Sequence, residues 1–143
     1  MIEVILADDH LMVRDGLRVL LERDPEIAIV AVVEDGESAV RATEQLQPDV
    51  VIMDVSLPKV NGIEATRRIC SSTSGAKVVG LSVHDDQVFV EAMRAAGACG
   101  FVVKRSAFTA LPSAIGHALA GDRFVTPMLA KRPAPEEELA PAR

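Results

Sequence analysis

Five strand-length stretches of this chain are almost purely apolar, and each is followed by a segment with helical periodicity. The apolar runs are "IEVILA" (2–7), "IAIVAVV" (27–33), "DVVIMD" (49–54), "AKVVGLS" (76–82) and "GFVVK" (100–104). A strand that alternated apolar and polar residues would keep one face in water. An unbroken apolar run predicts a strand covered on both faces, as in a parallel sheet between layers of helices. The intervening segments fit that reading. In 11–24, Val13, Leu17, Leu20 and Leu21 recur at helical spacing, with Arg14, Arg18 and Glu22 on the other side. Residues 36–46 form a second amphipathic pattern, and a third starts at Gly62. A fourth, 85–97, opens on acids and closes on Gly97. The fifth is expected from about Leu111 to Ala120. Its cap is placed near Thr109, because Pro112 is tolerated best in a first turn. The pattern is (βα)5 in an open, doubly wound sheet.

A length of 143 residues suits one domain of this kind. With four Phe and no Trp or Tyr, its core must be aliphatic. A net charge of −6 argues against a nucleic-acid surface, which needs clustered Lys and Arg. Cys70 and Cys99 lack CxxC partners and read as small buried residues of a cytosolic protein. The N-terminus has no basic, apolar leader pattern. No run approaches the roughly 18 apolar residues of a membrane span. After Gly121 the composition turns to Pro, Ala and Glu, so 126–143 is expected to be a linker or tail and 1–125 the domain.

In open parallel sheets, ligands bind beyond the carboxyl ends of the strands. Four of the five runs carry polar groups there: Asp8 and Asp9 after the first, Asp54 at the end of the third, Ser82 after the fourth and Lys104 after the fifth. An Asp after a strand can be a mere helix cap, and a Lys merely solvated. The convergence of all five on one edge is harder to explain that way. Three close carboxylates repel unless a proton or cation intervenes. Hard oxygen donors suit Mg²⁺. A carboxylate beside Mg²⁺ and a lysine is a nucleophile placed for phosphoryl transfer. Ser82 Oγ and backbone N–H groups would donate to the phosphoryl oxygens.

These residues resemble the receiver domain of two-component response regulators over positions 1 to about 125. The motifs are "DD" at 8–9, D-x-x-L-P-x-x-x-G from Asp54 to Gly62, the Ser82 position, and "GFVVK" with Lys104. The resemblance implies a flavodoxin-like fold with strand order 2-1-3-4-5. It implies that Asp54 accepts a phosphoryl group from a sensor histidine kinase. It also implies that Mg²⁺ is held by Asp9, Asp54 and the Ser56 carbonyl, with Asp8 acting through water. The protein would not be an enzyme beyond its own phosphorylation and dephosphorylation. Ser82 and Phe101 would form a switch, Phe101 moving inward as Ser82 turns to the phosphoryl group; plain core is the alternative for Phe101. "LSVHDD", "AAGACGFVVK" and "AGDRFVTP" resemble the NarL/LuxR-type subfamily, whose members control transcription through a helix-turn-helix domain after the linker. No such pattern follows here. The sequence reads as a receiver cut off before its output domain, the alternative being a stand-alone receiver acting through protein contacts. A cytoplasmic location is implied, as is a homodimer formed on phosphorylation, with DNA bound only through an output domain. Arg105 stands where many receivers have proline.

Val83 and His84 are expected to line the access to the site, Val83 crowding it with a stiff β-branched side chain. His10, just after the acid pair, reads as helix-start packing or solvent, the alternative being a metal ligand; His117 reads as surface. A phosphatase of the haloacid dehalogenase type would need Asp-x-Asp, but Ser56 stands two residues after Asp54. A flavin module would need a phosphate loop and aromatics that "ADDHLMV" does not supply.

Overall fold

A computed structural model describes residues 1–72, 75–83 and 86–122, together with the backbone of Phe124 and Val125. Strands β1 (Ile2–Ala7), β2 (Ile27–Val33), β3 (Val50–Asp54), β4 (Lys77–Ser82) and β5 (Gly100–Val103) alternate with helices. These are α1 (Leu11–Glu22), α2 (Gly36–Leu46), α3 (Gly62–Cys70), α4 (Gln87–Ala96) and α5 (Ala107–Leu119). The sheet is parallel, in the order β2-β1-β3-β4-β5, as expected. A short sixth strand, β6 (Phe124–Val125), extends it beyond β5. Two residues are too few to carry a periodic signal, so β6 could not be read from the sequence; it exists by pairing with Gly100 and Phe101. The tail expected over 126–143 lies outside the described residues.

The strands divide their side chains between two cores. Ile5, Ala7, Val51, Met53 and Phe101 face the layer of α2, α3 and α4. Val4, Leu6, Val50, Ile52 and Val102 face α1 and α5. Every residue of β3 is buried, including Asp54. The apolar run is therefore a rod clamped on both sides, which fixes the position of its last residue.

Three expectations are corrected. Helix α5 starts at Ala107, directly after a 3₁₀ turn at Lys104–Ser106, so Pro112 lies inside it and not in its first turn. A proline there forfeits one i→i−4 hydrogen bond. Ala107 and Leu111, both fully buried against the sheet, hold the first turn in place regardless. Helix α4 starts at Gln87, slightly later than expected, although Gly97 ends it in a left-handed conformation (φ 114°) as anticipated. Cys70 is exposed and Cys99 only partly buried, contrary to the buried pair expected. No helix among the described residues is long and apolar enough to cross a membrane.

Helix α2 helps hold the loop that follows Asp54. Gly36 donates its N–H to the Pro58 carbonyl, and a Cβ there would collide with the Val60 backbone. The preceding Asp35 caps the helix, accepting from Ser38 N at 2.7 Å and Ser38 Oγ at 3.1 Å. The Ser38 backbone hydrogen bond holds the Asp35 carboxyl below its usual value. A carboxyl lowered by folding stabilises the protein above its unfolded pKa, and that stability is lost as pH falls through the folded pKa. Asp35→Ala should therefore cost about 1 kcal/mol at pH 7, the gap to the parent closing below about pH 4. Urea unfolding at both pH values checks this, and a pH-independent gap would contradict it.

Candidate functional site

The carboxyl edge of the sheet gathers the predicted groups. Asp8 follows β1, Asp54 ends β3, and Lys104 follows β5. Both carboxylates are fully buried, and Lys104 is only 6% exposed. Lys104 Nζ donates to Asp8 Oδ1 and to Asp54 Oδ2, each at 3.0 Å. The three groups come from positions 46 to 96 residues apart, brought together by the β1–β3 pairing and the parallel course of β5. The second Asp54 oxygen, Oδ1, accepts from Ser56 N at 3.1 Å and Ser56 Oγ at 3.2 Å. Ser56 thus orients the carboxylate from the loop side while Lys104 holds the other oxygen.

The glycine at the far end of the motif has a matching steric role. Gly62 opens α3, behind its Asn61 cap, which accepts from Glu64 N at 2.9 Å. Gly62 N donates to the Val55 carbonyl at 2.9 Å. A Cβ on Gly62 would stand 2.0 Å from the Asp54 carbonyl oxygen. Only a glycine lets the helix start rest directly on the backbone that carries Asp54.

The charges do not balance. Two buried carboxylates share one ammonium, and Asp9 adds a third carboxylate at the rim. Asp8 Oδ2 is buried without a hydrogen-bond partner. A buried unsatisfied acceptor is costly, and a further cation would offset that cost. Oxygen donors from Asp8, Asp9 and Asp54, with a nitrogen from His10, lie within 4.8 Å of one another.

His10 stands at the start of α1 and is half exposed, as expected, but its ring also reaches the site. Its ring lies over the site, where Lys104 Nζ approaches Nδ1 to 2.6 Å. Because an ammonium has no lone pair, Nδ1 is the acceptor in that contact. Asp8 Oδ1 lies 3.1 Å from the same nitrogen and Asp54 Oδ2 3.5 Å. The cause is local. His10 N donates to Asp8 Oδ1 at 2.8 Å, folding the chain back as it enters α1. An acid two residues before a helix start is the signal that could have indicated this turn.

The other predicted residues lie on or after β4 and β5. Ser82 ends β4, is 3% exposed, and pairs in register with Val103, the neighbour of Lys104. Phe101 is buried beneath α4, beside Met93 and Gly80. That burial suits plain core as well as an inward-turned ring. Val83 directly follows β4 and is about half exposed (49%). His84 lies outside the described residues.

Comparison with known proteins agrees with this geometry. The family described as the response regulator receiver domain matches residues 4–116. The transcriptional regulatory protein DegU of Brevibacillus brevis is 39% identical over 126 residues, which are 88% of this chain and 53% of that protein. The crystal structure of a LuxR-family two-component response regulator from Aurantimonas sp. SI85-9A1 superimposes with a TM-score of 0.87. It is 39% identical, covering 95% of this chain and 97% of that one. The RcsB response regulator of Salmonella typhimurium, solved for its conformational dynamism in DNA interaction, gives a TM-score of 0.82 at 27% identity, over 91% and 65% of the two chains. The chain belongs to the response regulator receiver domain family, and its solved relatives include regulators of the LuxR family and NarL. It spans about half the length of DegU.

Proposed function

We propose that Asp54 is the phosphoacceptor of this receiver and that a sensor histidine kinase is its donor. The observation that carries this is the buried Asp8–Lys104–Asp54 bridge, with both contacts at 3.0 Å, at the end of a fully buried strand. In the transfer, an Asp54 carboxylate oxygen forms the O–P bond as the P–N bond of the donor's phosphohistidine breaks. The electron pair leaves on the donor imidazole. Lys104 is placed to follow the charge from carboxylate to phosphoryl oxygens, and Ser82 to donate its hydroxyl to them. Ser56 N–H keeps Asp54 oriented for attack.

The donor chemistry fits Mg²⁺: hard carboxylate oxygens and a buried Asp8 oxygen with no partner. Asp9, Asp54 and the Ser56 carbonyl would hold it, with Asp8 acting through water. When bound it would screen the phosphoryl oxygens from the carboxylates. A small phosphodonor with Mg²⁺ should add the mass of one phosphoryl group to the parent and none to Asp54→Asn. An adduct that survives in Asp54→Asn would defeat the reading.

The phosphorylated state would be read out through α4, β5 and α5, where Phe101 packs. In a longer protein it would control a DNA-binding output domain and favour a homodimer. The likeness to DegU, named as a transcriptional regulator, and to RcsB, solved as dimers bound to DNA, supports this. The location would be cytoplasmic.

Val83 and His84 would set the lifetime and loading of the signal. Val83 stands one residue beyond the Ser82 hydroxyl, and its branched side chain narrows the approach. Relief of about 1 kcal/mol is worth roughly fivefold in rate, so Val83→Ala should load several times faster from a small phosphodonor. Phosphate-affinity electrophoresis follows this directly. Unchanged loading would acquit Val83.

A further inference from the structure

Resting on the metal-dependent reading above, we propose that His10 makes this centre a nitrogen-bearing site that prefers a first-row transition dication to Mg²⁺. Three observations carry it. His10 Nδ1 belongs to the same constellation as the Asp8, Asp9 and Asp54 oxygens, all within 4.8 Å of one another. Asp8 Oδ2 is buried and unpartnered, so a carboxylate of the constellation carries an acceptor with nothing to satisfy it. His10 itself is not locked into the core. Its side chain is 49% exposed, and its ring nitrogen is held only through contacts with the groups of the site.

Imidazole nitrogen adds little for Mg²⁺, which takes oxygen and water. For the first-row dications it is a useful donor, its contribution smallest for Mn²⁺ and growing along the series. The lone pair of Nδ1 now accepts from Lys104. Lys104 keeps two carboxylate partners when that contact is given up, so the nitrogen can pass to a cation without leaving the ammonium unpaired. A site of carboxylates alone would discriminate weakly between Mg²⁺ and Mn²⁺. With His10 included, the balance moves toward the transition ion.

Mn²⁺ is the probe, because it has little affinity for the two thiols, Cys70 and Cys99. Pulsed EPR of the Mn²⁺-loaded protein should show one imidazole ¹⁴N coupling in the parent and none in His10→Ala. Calorimetry should find Mn²⁺ bound about fivefold or more weakly by His10→Ala, and Mg²⁺ changed by less than about twofold. Retained Mg²⁺ binding also shows that the variant is folded. A parent spectrum without nitrogen coupling, or equal weakening of both ions, overturns the role of His10 and leaves the Mg²⁺-dependent receiver intact. A parent that binds neither ion overturns both.

Discussion

Lys104→Met is expected to be folded but markedly less stable in metal-free buffer, by about 3 kcal/mol at pH 7. The methionine keeps the packing of the lysine stem and removes its charge. Asp8 and Asp54, both fully buried, then face one another with no cation between them. Stranding buried charges costs about 3–5 kcal/mol, more than the intact pair contributes. Millimolar Mg²⁺ should restore part of the loss by supplying the missing charge. The same variant should uncouple phosphorylation from the rest of the fold, since Lys104 links Asp54 to the turn that opens α5. NMR shifts around Phe101 should then barely respond to the phosphodonor. A variant as stable as the parent without Mg²⁺, or one with full shifts at Phe101, would remove Lys104 from both roles.

Gly62→Ala is expected to cost at least about 3 kcal/mol, because the clash is with backbone and not with the end of a flexible side chain. The added methyl would meet the Asp54 carbonyl oxygen at 2.0 Å and its carbon at 2.8 Å. The start of α3 must back away, or the end of β3 must bend. An ångström of displacement at a reacting group costs about a hundredfold in rate, so phosphoryl loading should collapse even where the protein still folds. Gly116→Ala is the control. Nothing lies within 4 Å of a Cβ at that exposed helical position, and the change should stabilise by about 0.5–1 kcal/mol. Thermal unfolding and loading rates of the two variants separate the site effect from a general intolerance of alanine.

The sheet was legible because its strands appear as unbroken apolar runs, fully buried in β3 and β5 and only partly in the edge strand β2, and the ends of those runs can be read to within a residue or so. The site was legible for the same reason: Asp8, Asp54 and Lys104 are fixed by where those runs stop. Side-chain direction at the turns was not. His10 is the helix start it looked like, but the bond from its own N–H to Asp8 Oδ1 and the contact of its ring with Lys104 bring it over the carboxylates. Pro112 misled in the other direction. A local rule against proline inside helices yielded to the burial of Ala107 and Leu111 on the sheet. β6 has no pattern of its own and depends on the edge of β5. The thiols were misjudged because residue type says little about which face of α3 Cys70 occupies, or how far the α4–β5 connection covers Cys99.

The central claim is that one carboxylate, Asp54, takes the phosphoryl group while its neighbours only support it. Borohydride reduction of the loaded protein, followed by peptide mapping, tests this most directly, because it converts a phosphorylated aspartate into homoserine and leaves free carboxylates unchanged. The account predicts homoserine at position 54, dependent on Mg²⁺, with Asp8 and Asp9 unaltered. Homoserine at position 8 or 9, with Asp54 intact, would contradict it.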